Sequence, residues 1–141
     1  MLEVSIHVDC QVTATEVPAG QRFAYLIRRF DRHHNTVDLF LRSFTVELCP
    51  EVKGAQWRFF ETSTGTVFMV PTGYESLLVS IDQNAFEARV SAEVAGLIVS
   101  LFVLARLADV SRSQEHMRMV VLLRNYALQH SMATTIFRAI D

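Results

Sequence analysis

The side chains able to do chemistry are few and widely separated. The thiols are Cys10 and Cys49, and the imidazoles are His7, His33, His34, His116 and His130. A zinc site needs closely spaced thiolate or imidazole ligands. No two of these histidines fall at i, i+4 on one helix, and in "QEHMR" Glu115 and His116 are neighbours that point to different faces. Cys49 precedes Pro50 at an expected helix end and reads as a buried structural thiol. A phosphate-cradling loop needs converging backbone N–H groups. Gly54 and Gly65 are too far apart for that, no Lys-Ser/Thr follows them, and no G-x-S-x-G elbow occurs. The carboxylates Glu61, Glu75, Asp82 and Glu87 fall on or beside expected strands, where such groups usually solvate the outer face. No metal or cofactor is expected.

Two clusters keep a chemical reading open. Arg28, Arg29, Arg32, His33 and His34 form the one concentration of positive charge. Cations near a helix C-terminus are favoured by its dipole, so a solvated helix end accounts for them. A phosphate or acidic-partner contact is the second reading. The other cluster is "VKGAQWRFFETSTGTVFMVPTG", Val52 to Gly73, with the single tryptophan. It could be a stacking platform for nucleic acid, a small catalytic site around Trp57, Glu61 and Glu93, or core. A stacking platform needs basic residues among the aromatics, and Arg58 is the only one between Trp57 and Ile81.

Composition narrows the classes. The chain has 141 residues, half of them apolar, with 15 acidic against 13 basic residues and a net charge of −2. That length and apolar content fit a single domain over residues 1–141 with a real core. There is neither a basic face for nucleic acid nor the dense acidity needed to imitate DNA, which carries about one charge per 1.7 Å of axis. No direct DNA binding is expected. Two thiols and an N-terminus without a basic region followed by an apolar stretch suggest reduced cysteines and a cytoplasmic protein. The longest apolar run, Val94 to Ala105, falls short of the roughly 20 residues of a membrane span, so no membrane contact is expected.

These residues need elements to position them. Residues 1–21 alternate weakly at Val4, Ile6 and Val8, suggesting a strand or extended arm. Arg22–Asn35 has helical spacing, and Asn35 or Thr36 could cap a second helix carrying Val37, Leu41, Phe44 and Leu48 to Pro50. Strands are expected over 56–62, 66–71, 77–81 and 85–90, forming a four-stranded antiparallel meander. Ser91, with Glu93 in the first turn, should cap the most buried helix, to about Ala108. Gly96 within it implies close approach of the sheet, on whose inner face the helix should lie, with Phe59 and Phe68 turned toward it. Ser113 caps a further helix, and Met132–Ile140 forms the last. The expected class is α+β, with a helical C-terminal half.

Three ordered blocks carry a family resemblance. "GAQWRFF", "STGT" and "VFMVP" (Gly54 to Pro71), then "VSAEVAGLIVSLFVLARLA", then "LRNYALQHSMATTIFRAID" resemble the ArdB/KlcA antirestriction family over residues about 52–141. The chain departs from the family pattern at Ala55, at the turn Thr64–Thr66, at Glu93 in place of aspartate, and at Ser131-Met132. The resemblance implies a non-enzymatic protein of a plasmid or prophage that protects incoming DNA from type I restriction. It implies a protein partner, directly or indirectly the restriction machinery, rather than DNA mimicry. Matched positions carried over are Trp57, Phe60, Gly65, Phe68, Met69, Pro71, Glu93, Gly96, Tyr126 and Asp141. Gly65, Phe68, Met69, Pro71, Gly96 and Tyr126 read as structural. Asp141, Trp57, Phe60 and Glu93 are the candidate functional or interaction residues, Asp141 first.

Overall fold

The computed structural model describes residues 11–54 and 56–141. Strands β1 (Ala14–Glu16), β2 (Trp57–Thr62) and β3 (Val67–Pro71) form one antiparallel sheet in that order. Strands β4 (Ser76–Ile81) and β5 (Phe86–Ser91) form a second, two-stranded sheet. The helices are α1 (Arg22–Phe30), α2 (His34–Leu48), α3 (Ala92–Ser111), α4 (Gln114–Leu128) and α5 (Ala133–Ile140). The class is α+β with a helical C-terminal half, as the sequence suggests.

The four expected strands all form, but not as one meander. β2–β3 and β4–β5 are separate hairpins because α3 occupies the edge where β4 would pair. In the β2–β3 register Met69 faces Phe59 in a non-hydrogen-bonded pair, so its N–H and C=O point away from β2. Ser100 Oγ accepts the Met69 N–H at 2.8 Å. One turn earlier, a Cβ on Gly96 would overlap the Met69 carbonyl oxygen and lie 2.9 Å from Val70 Cα. The helix therefore runs against the strand edge backbone to backbone, rather than lying on the sheet's inner face. It covers an edge that would otherwise be open to aggregation.

Helix α3 begins as expected, with Ser91 Oγ accepting from the Val94 N–H at 3.1 Å. It continues to Ser111, where Arg112 turns left-handed. It is long and apolar enough to cross a membrane, but 67% of its most apolar window is buried inside the protein. Leu97, Ile98, Leu104 and Leu107 are fully enclosed, with Leu123 of α4 and Ile136 of α5 against the same core.

Elsewhere the sequence-based boundaries shift. Residues 1–10, with the alternation at Val4, Ile6 and Val8 and with Cys10, lie outside the described residues. The arm instead supplies β1, which pairs with β2 from Ala14↔Thr62 to Glu16↔Phe60. Asp31, at φ 50°, breaks α1 from α2. A 3-10 turn over Asp31–His33 follows, and α2 starts at His34, so Asn35 and Thr36 lie inside the helix rather than capping it. The His34 Nδ1–H donates to the Asp31 carbonyl at 2.7 Å. Ser113 does cap α4, accepting from the His116 N–H at 3.3 Å.

Candidate functional site

Strand alternation decides which motif residues share a face. Successive side chains of β2 point to opposite sides, so Trp57, Phe59 and Glu61 face one way and Arg58, Phe60 and Thr62 the other. Phe59 and Phe68 therefore lie on opposite faces, not together against α3. Phe59 meets the Tyr25 ring of α1 edge-on at 6.4 Å. Phe68 stacks between Phe60 (5.1 Å, 8°) and Tyr126 of α4 (5.3 Å, 24°). The Arg58 guanidinium covers the Phe60 ring at 5.0 Å. The result is a column of Arg58, Phe60, Phe68 and Tyr126, half-buried at both ends and buried at Phe68.

Charged groups frame the column. Arg58 grips Glu16 of β1 with two hydrogen bonds, Nε to Oε2 at 3.0 Å and Nη2 to Oε1 at 2.8 Å. That grip holds the Glu16 carboxyl below its usual range and the Arg58 guanidinium above its own. At the start of α3, Glu93 Oε2 lies 2.7 Å from His130 Nε2. His130 Nδ1 accepts the Met132 N–H at 3.0 Å, so its proton sits on Nε2 and is donated to Glu93. This clamp ties the first turn of α3 to the α4–α5 junction. Burial first, then the Glu93 charge, raises the Tyr126 phenol. A shallow cavity of about 370 Å³ opens here, lined by Arg58, Phe60, Tyr74, Glu75 and Glu93 among others. Tyr74 is anchored by its hydroxyl, which accepts the Lys53 N–H at 2.9 Å.

Of the four candidate residues, the structure brings together Phe60 and Glu93. Trp57 lies on the opposite face of the sheet, in a cavity of about 460 Å³ lined also by Asp38, Arg42, Thr45 and Val46 of α2. Asp141 follows α5, where its carboxylate takes both ends of the Arg124 guanidinium at 3.3 and 3.2 Å. Trp57, Glu61 and Glu93 do not converge, so the enzymatic arrangement conceived around them is not formed. Among the described residues, no three of His, Cys, Asp and Glu come together as metal ligands. Cys49 is buried, and burial pushes its thiol up to about 11, which leaves it unreactive.

The hairpin tip is clamped, not presented. Gly65 takes φ 101°, which disfavours any other residue. Its carbonyl accepts a hydrogen bond from Arg29 of α1. Thr66 is fully buried and donates its hydroxyl to the Met119 carbonyl of α4 at 2.8 Å. Sequence reasoning missed Arg58 and His130 as members of the site. The first read as an isolated base between aromatics, and the second only as one of five scattered imidazoles. The even spacing of Arg58 and Phe60 was the available signal.

The model of the family described as "Antirestriction protein" matches residues 50–141. Antirestriction protein KlcA of Escherichia coli is 30% identical over 138 residues, covering 94% of this chain and 97% of that protein. The chain belongs to the ArdB/KlcA antirestriction family. The likeness reaches further toward the N-terminus than the three sequence blocks do. YfjX of Escherichia coli K12, whose function is uncharacterised, is also 30% identical and covers 94% of this chain. A solved structure of this family aligns with a TM-score of 0.80 and 29% identity over 92% of this chain and 95% of its own. The KlcA and ArdB proteins to which it belongs are reported to have a novel fold and antirestriction activity against Type I DNA restriction systems in vivo but not in vitro.

Proposed function

We propose that this chain lowers type I restriction in the cell by contacting a protein, directly or indirectly the restriction machinery, without catalysis and without imitating DNA. The observation that carries this reading is the meeting of Phe60, Glu93, Tyr126 and His130 on one accessible face. They come from three separate stretches of sequence, and they form a surface of aromatic rings edged by fixed charges. Such surfaces, with aromatic anchors and arginine, carry binding energy in protein interfaces. The net charge of −2 supports a protein partner over a DNA-like decoy. The activity of KlcA and ArdB in vivo but not in vitro supports an action that needs another cellular component. On this reading the protein works in the cytoplasm, where restriction occurs, and travels with a mobile element.

The test is to plate unmodified phage on cells carrying a type I system, with and without the chain. Higher plating with the chain is expected, and Phe60→Ala should remove most of the gain while leaving the circular dichroism spectrum unchanged. Equal plating with and without the chain would sink the reading. Retention on duplex DNA at low salt, lost as salt rises, would favour a nucleic-acid contact instead.

A further inference from the structure

A wide groove of about 690 Å³ lies between the C-terminal halves of α2 and α3 and the end of β4. That volume is within the usual range of binding pockets, about 300–1,000 Å³. Its floor is aromatic: the half-buried rings of Phe44 and Phe102 meet at 5.7 Å, tilted by 34°. Its rim is charged, with Glu47 of α2, Asp82 just after β4, and Arg106 and Asp109 of α3, all exposed. Arg106 stands about 20 Å along α3 from Glu93, at about 1.5 Å per residue. The groove is therefore no part of the aromatic face.

The rim sets three carboxylates against one guanidinium. Arg106 approaches Asp109 of its own helix at 3.9 Å. Among the described residues, neither Glu47 nor Asp82 has a basic partner. Two of these acids stand where a helix disfavours them. Glu47 is in the last turn of α2 and Asp109 in the last turn of α3, and neither turn holds a base. The dipole favours cations there. The groove is thus negative from its side chains and from two helix ends, and a cleft of one sign concentrates the opposite charge. The molecule also shows what its aromatic rings accept. The guanidinium groups of Arg28, Arg58, Arg124 and Arg138 lie over Tyr25, Phe60, Phe137 and Phe86, between 5.0 and 5.9 Å from the ring centres. No guanidinium of the described residues covers Phe44 or Phe102 in this way, although Arg106 stands one turn after Phe102.

We propose that this groove receives a basic segment of a protein partner, with an arginine side chain lying over Phe44 and Phe102 and its guanidinium held by Glu47 and Asp82. This rests on the reading that the chain acts through a protein contact, and it gives that contact a second anchor, remote from the aromatic column. A guanidinium stacks on aromatic faces and meets carboxylates with its N–H groups, so it uses floor and rim together. A metal ion would leave the rings unused. An acidic peptide or a nucleic acid would meet like charge.

The test is a titration of the isotope-labelled full chain with a blocked Gly-Arg-Gly-Arg-Gly peptide, following backbone amide signals by NMR at low salt. The control peptide carries citrulline in place of arginine, which keeps the shape and removes the charge. Saturable shifts around Glu47, Asp82 and Asp109 are expected from the first peptide and none from the second. Glu47→Gln combined with Asp82→Asn should weaken binding by about tenfold, the joint weight of two exposed charge contacts. Both side chains are exposed, so this double variant should keep its urea midpoint. Phe60→Ala, on the aromatic face, should leave peptide binding unchanged. Equal response to both peptides, or binding that survives the double variant, overturns the proposal. So does a loss of peptide binding in Phe60→Ala, which would place the peptide on the aromatic column. Saturation of the same signals by calcium ions alone overturns it in favour of a metal site. None of these outcomes depends on phage plating, so this proposal and the antirestriction reading can fail separately.

Discussion

The two faces of the β2–β3 hairpin are built from the same kinds of residue and do different work. On one, Trp57, Phe59 and Glu61 are turned to α1 and α2, and Phe59 is buried against Tyr25. On the other, Arg58 and Phe60 continue a stack that runs through Phe68 to Tyr126 and remains partly open. Residue type does not separate scaffold from site here, and strand parity does. Phe68 and Phe60 touch each other, but one is 2% exposed and the other half-buried. The first should carry stability and the second contact.

The sharpest way to break that comparison is to truncate both rings. Phe68→Ala should cost about 3–5 kcal/mol in urea denaturation, as for other enclosed aromatics. Phe60→Ala should cost far less stability while phage protection falls. If the two truncations cost the same, the open face is simply more core. If Phe60→Ala leaves protection intact, the contact lies elsewhere.

A second contrast sets the edge of β3 against that of β1. The former is sealed by α3, the latter is short and polar. Gly96→Ala should destabilise by about 1–3 kcal/mol through overpacking on the Met69 carbonyl, although alanine favours a helix by about 1 kcal/mol over glycine. Ser100→Ala removes the acceptor for the Met69 N–H, and should cost about 1–3 kcal/mol for a buried unpaired donor. Thr15→Ala on β1, where the side chain is exposed, should change stability little. An equal loss at all three positions would mean that the edges are not closed differently.

A smaller effect is expected from the joint between α1 and α4. His116 is buried, its Nδ1 lies 2.8 Å from Ser111 Oγ, and its ring is 5.2 Å from that of His33. Burial chiefly, then His33, lowers its pKa from the ordinary 6.5, against a weaker opposing pull from Glu115. The unfolded chain therefore binds this proton more readily than the folded one. Stability is fully present above about pH 6.5 and falls as the pH drops toward the folded value. His116→Asn should flatten the slope of urea midpoint against pH over that window. An unchanged slope would assign the acid sensitivity to other groups.

Much of this was legible in the sequence. Ser91 and Ser113 announce their helices because an N-cap is a local bond between neighbours in the chain. Gly96 signals a close approach because a missing side chain in an apolar helix has few other uses. What pairs with what was less legible. The split of the meander is decided by α3 taking the Met69 edge, a contact made across about thirty residues of chain and invisible to periodicity. The column was half visible, since Arg58 and Phe60 share parity, but their meeting with Tyr126 depends on how α4 crosses. Glu93 was read as a first-turn acid, which is a local fact. His130 as its partner is a tertiary one.

The smallest change tests the residue ranked first from sequence. Asp141 stands first among the candidates carried over from the family resemblance, with no structural role assigned to it. The structure gives it one: its carboxylate faces Arg124, whose guanidinium also lies 5.1 Å over the Phe137 ring. Both partners are well exposed, the arginine side chain at 41% and the aspartate at 56%. Exposed pairs of this kind contribute about 0–1 kcal/mol. Asp141→Asn should therefore leave the urea midpoint almost unchanged, and Arg124→Gln should do the same. Protection then separates two cases that stability cannot. If Asp141→Asn loses protection and Arg124→Gln keeps it, the carboxylate itself meets the partner. If both keep it, the pair is a brace between α4 and the residue after α5, and the contact surface does not include Asp141.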